Sequence, residues 1–167
     1  SVAFDKYQAP LFYVSNTQIN LQVPYEISGQ TSTLMTVFYN DSAVAATTLG
    51  VTKSAPGIFV VTNADGSVNG PGAPAATGAV LVIYGTGAGV TAGPVQTGVA
   101  APDNSTTPAT VTIAGRTIAP IFAGLTPGSV GLTQVNVAVP AGIAPSNTIP
   151  LQFSMNNAAT QTVNISV

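Results

Sequence analysis

Four oxygen-bearing side chains stand at alternate positions in the stretch NADGSVNG: Asn63, Asp65, Ser67 and Asn69. Calcium loops space their ligands in this way. This stretch carries a single carboxylate, and no Glu follows to close the coordination shell, so an Asp-Gly turn competes with the metal reading. A second candidate is Lys53-Ser54, an amine base beside a hydroxyl nucleophile, but neighbouring residues of a strand point to opposite faces. A third is YGTGAGV at 84–90. Val90 stands where a dinucleotide loop needs its third Gly, and no amphipathic helix follows to offer its N-terminus to a phosphate, so a tight turn after a strand is expected. With no His and no Cys, the common general bases and thiol nucleophiles are missing. The acids Asp5, Glu26, Asp41, Asp65 and Asp103 are scattered singly, mostly beside turns, whereas glycoside hydrolysis needs two across one cleft. A Lys–Asn isopeptide crosslink would need Lys6 or Lys53 buried beside an acid. The expectation is a protein that is not an enzyme and uses no cofactor.

The remaining polar chemistry concerns surfaces. Asn40-Asp41-Ser42, Asn104-Ser105-Thr106 and Asn164-Ile165-Ser166 are N-glycan sequons, and Thr106 and Thr107 could carry O-glycans. Tyr7, Tyr13, Tyr25 and Tyr39 could form a sugar-stacking platform, although aromatics on strands more often pack across the sheet. Charged residues make up only 5% of the 167, against about 25% in ordinary globular proteins. Thr, Ser, Asn, Gln and Gly must therefore solvate the surface, a composition that suits an extracellular or cell-surface protein after removal of a signal peptide. Three cations, Lys6, Lys53 and Arg116, cannot build a phosphate-binding stripe, which argues against nucleic acid. A 46% hydrophobic content allows a core, yet no apolar run reaches the ~18 residues of a membrane span.

Periodicity is two throughout. Apolar and amide residues alternate in Gln18-Ile19-Asn20-Leu21-Gln22-Val23 and again in Gln134-Val135-Asn136-Val137-Ala138-Val139. Alternation places Ile19, Leu21, Val23, Val135, Val137 and Val139 in cores, with Gln18, Gln22 and Gln134 facing solvent or a partner. Further strands are expected at 2–7, 10–14, 31–39, 43–52, 57–62, 110–114, 117–123, 148–155 and 160–167. Ala79–Tyr84 is continuously apolar and should be a central strand with both faces covered. Seventeen Gly and thirteen Pro leave no room for a helix of ordinary length, so the chain is expected to be all-β.

Those two alternating stretches are copies. Gln18 matches Gln134, Asn20 matches Asn136, Pro24 matches Pro140, Asn40 matches Asn156 and Val51 matches Val167, all 116 residues apart. Upstream, Ala9-Pro10 matches Ala119-Pro120 at an offset of 110, which places Ser1 opposite Val111. This duplication predicts two immunoglobulin-like β-sandwich units, an incomplete one at 1–51 and a complete one at 52–167. Nothing in the first answers to residues 52–110 of the second, so the first should lack its initial strands.

The order APLFYVS, TQIN, QVPYE, then APGIF, then DGSVNGPGAPAATGAVLVIYGTGAG, then FAGLTPGSVGLTQVNVAVPAG resembles the acidobacterial Solibacter C-terminal domain family. The second half also resembles the IPT/TIG fold, with Gly85-Thr86-Gly87 as the turn after an early strand and Val139-Pro140-Ala141-Gly142 as the late turn. The resemblance implies a module at the end of a large exported protein and brings no established activity. In that family a strand-rich segment precedes the APLFYVS block, while this chain starts about eight residues before it.

Two functional readings follow. One is a structural subunit of a pilus-like extracellular filament, a homopolymer joined head-to-tail by strand complementation, its candidate donor strand Val2, Phe4 and Tyr7, with Val163, Ile165 and Val167 second. The other is an accessory or attachment module that binds carbohydrate.

Overall fold

The computed structural model describes residues 1–103 and 105–167. The protein is all-β, and its helical content among these residues is one 3-10 turn at Tyr25–Ile27. β-Branched and aromatic runs cut short by Gly, Pro and Asn account for this. The first part of the chain forms β1 (Val2–Phe4), β2 (Tyr7–Gln8), β3 (Leu11–Val14), β4 (Ile19–Leu21), β5 (Ser32–Tyr39) and β6 (Ser42–Gly50). They assemble into a four-stranded sheet of order β2-β1-β5-β6 and a separate β3-β4 hairpin.

The rest supplies β7 (Gly57–Asn63), β8 (Val80–Thr86), β9 (Ala109–Ile113), β10 (Arg116–Ile118), β11 (Phe122–Leu125), β12 (Thr133–Ala138), β13 (Ile149–Met155), β14 (Ala158–Ala159) and β15 (Val163–Ile165). One sheet has the order β11-β12-β8-β7. In the other, β10-β9-β13 continues into both β14 and β15. Among the described residues no ladder joins strands of 2–50 to strands of 57–165, and every ladder is antiparallel. Inward-facing residues alternate along β12 and β13, so Val135, Val137, Leu151, Phe153 and Met155 meet Leu81 and Ile83 in one dry core. As expected, β8 is central, between β7 and β12, but only one of its faces is fully covered: Leu81 and Ile83 are buried, while Val80, Val82 and Tyr84 are half-buried.

The duplication extends to hydrogen-bond register. Met35 pairs with Thr47 as Leu151 pairs with Val163, Thr33 with Leu49 as Ile149 with Ile165, and Tyr39 with Ser42 as Met155 with Ala158. The turns between these strands agree as well: Asn40 and Asp41 have φ of 46° and 60°, Asn156 and Asn157 of 50° and 66°. Both are two-residue turns with left-handed backbone, where Asn is tolerated. At the first strand the structure shifts the sequence alignment by one residue. Val2 pairs with Val37 as Val111 pairs with Phe153, so Val2 is the counterpart of Val111, where Ser1 was expected.

Two expected strands are divided and a third is shortened. Asp5, at φ 52°, turns the segment 2–7 into the β1–β2 hairpin. Pro120, which has no N–H to give a ladder, lies where 117–123 leaves one sheet as β10 and joins the other as β11. The segment 160–167 contributes only β15 to the ladder, with β14 ending at Ala159.

Candidate functional site: an open surface on the first unit

In the complete unit, β12 is flanked by β11 on one side and β8 on the other. In the first unit the corresponding hairpin stops short. Val14 pairs with Ile19 as Ala123 pairs with Val135, and Tyr13 with Asn20 as Phe122 with Asn136, but among the described residues β4 has no second ladder neighbour. Even a side-chain contact is repeated: Gln18 Nε2 donates to Asn20 Oδ1 at 2.6 Å, and Gln134 Nε2 to Asn136 Oδ1 at 2.9 Å. Strand geometry decides which groups are left over. Gln22 N donates to Pro10 O and Gln18 O accepts from Ser15 N, so the even-numbered residues face β3. The backbone groups of Ile19, Leu21 and Val23 therefore face outward. Val139, the counterpart of Val23, donates its N–H to Ala79 O, just before β8.

Apolar surface is uncovered along this edge as well. Val135, Val137 and Val139 are at most 1% exposed, as expected. Ile19 and Val23, expected in the first unit's core, are 37% and 50% exposed, because nothing takes the place of β7 and β8 above them. Leu21 is half-buried against Val2, Phe4, Ala9 and Ile27, the four buried residues of this unit's core; the second unit's core has eighteen. Ten of the fifteen large exposed hydrophobic residues lie within 1–51, including Phe12, Tyr13, Val14, Tyr39, Val44 and Leu49. Exposed hydrophobic residues concentrated in this way mark an interaction site more often than singly scattered ones do.

Gln22 departs from the expected alternation for a different reason. It is buried at the joint between the units, where its Oε1 accepts from Gly98 N at 2.7 Å. Beside it Thr97 Oγ1 accepts from Tyr25 N and donates to Glu26 Oε2 at 2.6 Å. Tyr25 lines a cavity of about 350 Å³ with Pro94, Val95, Val99 and Leu125, and burial pushes its phenol pKa up. The polar type of Gln22 concealed this role. Only its place opposite a long Pro/Gly loop could have hinted at it.

Each chemical candidate has a structural occupation. In the 63–69 loop, Asp65 Oδ1 accepts from Ser67 N and Oγ, which lowers the Asp65 pKa. Asn63 Oδ1 accepts from Asn69 Nδ2, and Asn69 clasps Ser166 through both its N–H and its C=O. The loop oxygens are thus spent on protein donors, and the loop fastens the last strand. Among the described residues no three His, Cys, Asp or Glu side chains come together to hold a metal. Ser54 is buried with Oγ donating to Gly87 O at 2.8 Å, while Lys53 is exposed, so the two do not form a dyad. Lys6 lies 5.3 Å from the centre of the Tyr7 ring. Glycines 85, 87 and 89 let 53–57 run against the end of β8: a Cβ there would collide with the carbonyl oxygens of Gly57, Ala55 and Lys53 respectively.

The candidate donor segments both have partners inside the chain. Val2 and Phe4 are buried in β1 between β2 and β5, with Tyr7 half-buried in β2. Val163 and Ile165 pair with β13, and Val167 exchanges two hydrogen bonds with Ser146. Asn40 is exposed at a turn tip and Asn164 is exposed in β15, whereas Thr107 is buried beside exposed Thr106; Asn104 lies outside the described residues. The four tyrosines sit on four different elements. No helix among the described residues is long and apolar enough to cross a membrane. No family model, no curated protein and no solved structure matches the chain.

Proposed function

We propose that this protein is a non-enzymatic structural subunit, extracellular or at the cell surface, which assembles head-to-tail with copies of itself by pairing of strands between subunits. Its two units are read as immunoglobulin-like, the first one open. The observation that carries the reading is the contrast between equivalent strands of one chain: among the described residues β12 pairs with β8 as well as β11, and β4 pairs with β3 alone. Exposed apolar strands are a template for another strand, and most proteins blunt them with charge. No charge stands within β3, β4 or β6; Asp41, in the turn that leads into β6, and Lys53, three residues beyond it, only flank that strand. An acceptor edge that differs from its donor gives a head-to-tail contact, and such contacts grow filaments when they do not close into rings. A weakly charged Thr/Asn/Gln surface would let filaments pack closely, and Asn40 is the best-placed glycan acceptor. The attachment-module reading has less support, because the exposed tyrosines do not share one element.

Sedimentation velocity and negative-stain microscopy of the full chain test this. Polymers that lengthen with concentration are expected. A chain that stays monomeric at high concentration overturns the proposal.

A further inference from the structure

We infer that the strand received by the open β4 edge is β6 of a second copy of this chain. The inference rests on the proposed assembly and identifies its two faces. β6 is the other end of the first unit's architecture, an edge strand with β5 as its single ladder neighbour. All nine of its residues, SAVAATTLG, are exposed, and none is charged or Pro. The second unit shows how the same position is closed when pairing is unwanted. There the counterpart strand is broken into β14 and β15, and between them Gln161 turns across to Ile58, its Oε1 accepting from Ile58 N and its Nε2 donating to Ile58 O. So two of the edges open in the first unit are closed in the second: that of β4, whose counterpart β12 is paired with β8, and that of β6, whose counterpart is interrupted. Short edges and interruptions are recognised devices against strand pairing, and the first unit uses neither on β6; its one irregularity is a bulge at Val44, which leaves the stretch Ala45–Gly50 in regular register.

The two open edges suit each other. Ala43, Ala45 and Ala46 let a neighbouring backbone approach, while Ile19, Leu21 and Val23 offer outward backbone groups and apolar side chains. Main-chain hydrogen bonds would supply affinity and alternate side chains the register. Because neither strand leaves its own sheet, each subunit can use both edges at once. One copy's four-stranded sheet then continues into the next copy's β3-β4 hairpin, and the contact repeats without closing.

Two variants test this. Ala45→Lys with Thr47→Lys places charge on β6, where both positions are exposed, and Ile19→Lys places it on β4. Circular dichroism checks that each still folds. If wild type polymerises, each variant alone is expected to be monomeric. An equimolar mixture should give a one-to-one dimer and nothing longer, since each variant keeps one working edge. Pairing is located by mixing Asn20→Cys chains with chains carrying single cysteines at 45–48, the natural chain having none. A disulfide between the two kinds of chain is expected. Polymers formed by the β6-lysine variant would overturn the inference while leaving assembly by another edge intact. Loss of assembly with Ile19→Lys but not with the β6 variant would show β4-to-β4 pairing, which also overturns it. A mixture that stays monomeric, or a wild type that never assembles, does so too.

Discussion

At the residue scale, the duplication supplies its own controls. Val139 and Val23 hold equivalent positions, one 1% exposed and the other 50%. Val139→Ala should cost about 1–3 kcal/mol through lost burial and a residual cavity, whereas Val23→Ala should stay within about 0.5 kcal/mol in the monomer. Chemical denaturation measures both, and equal losses would contradict the burial difference. Asp5 gives a pH test. Its Oδ1 accepts from Leu34 N and its Oδ2 from Thr33 Oγ1, and these bonds hold its carboxyl below the usual range. A lowered folded-state pKa stabilises above the unfolded value, about 3.9, and that contribution is lost as pH falls through the lower folded one. The stability advantage of wild type over Asp5→Asn should therefore shrink between about pH 5 and pH 2. Val139 could be read from alternation alone. Asp5 could not, because a charged pair inside a strand pattern does not reveal that one of its members is at positive φ.

At the element scale, most strands were legible because period two, β-branched residues and Gly/Pro punctuation all coincide. What failed was continuity and burial. The segment 117–123 reads as one strand, and its break lies at Ala119-Pro120, where the chain changes sheets. Ile19-Asn20-Leu21 reads as half-buried, but burial depends on a neighbour that no local pattern encodes. The Gly-rich stretch at 85–89 gave the opposite difficulty, since its spacing suggests phosphate while its purpose is close backbone approach. Gly87 has φ 79°, accepts from Ala55 N at 3.0 Å, and leaves no space for a Cβ against the Ala55 carbonyl. Gly87→Ala should therefore destabilise the second unit by several times the ~1 kcal/mol typical of point mutants, with strain and collision adding. A thermal midpoint within a degree or two of wild type would show that 53–57 can move away without cost.

At the scale of the whole molecule, the two units differ in self-sufficiency. The second has a core cluster of eighteen buried hydrophobic residues, while that of the first has four. About fifty residues with so small a core fall near the size at which domains need a partner, a metal or disulfides to persist. The chain has no cysteine, so the last of these is excluded. The first unit is instead steadied by the 94–102 loop, through Gln22 to Gly98 and Glu26 and Tyr25 to Thr97. The dependence should run one way. None of the second unit's eighteen core residues comes from 1–51, and the linker carbonyls that meet Gly87 and Gly89 belong to Ala55 and Lys53. A chain of residues 52–167 should therefore fold with a cooperative transition close to that of the intact second unit. It should remain monomeric at concentrations where the full chain polymerises, because β4 and β6 are both gone. Calorimetry and sedimentation velocity on the same sample check the two halves of the prediction. Filaments formed by 52–167 alone would place the assembly surface on the closed unit and remove the reason for reading the first as its connector.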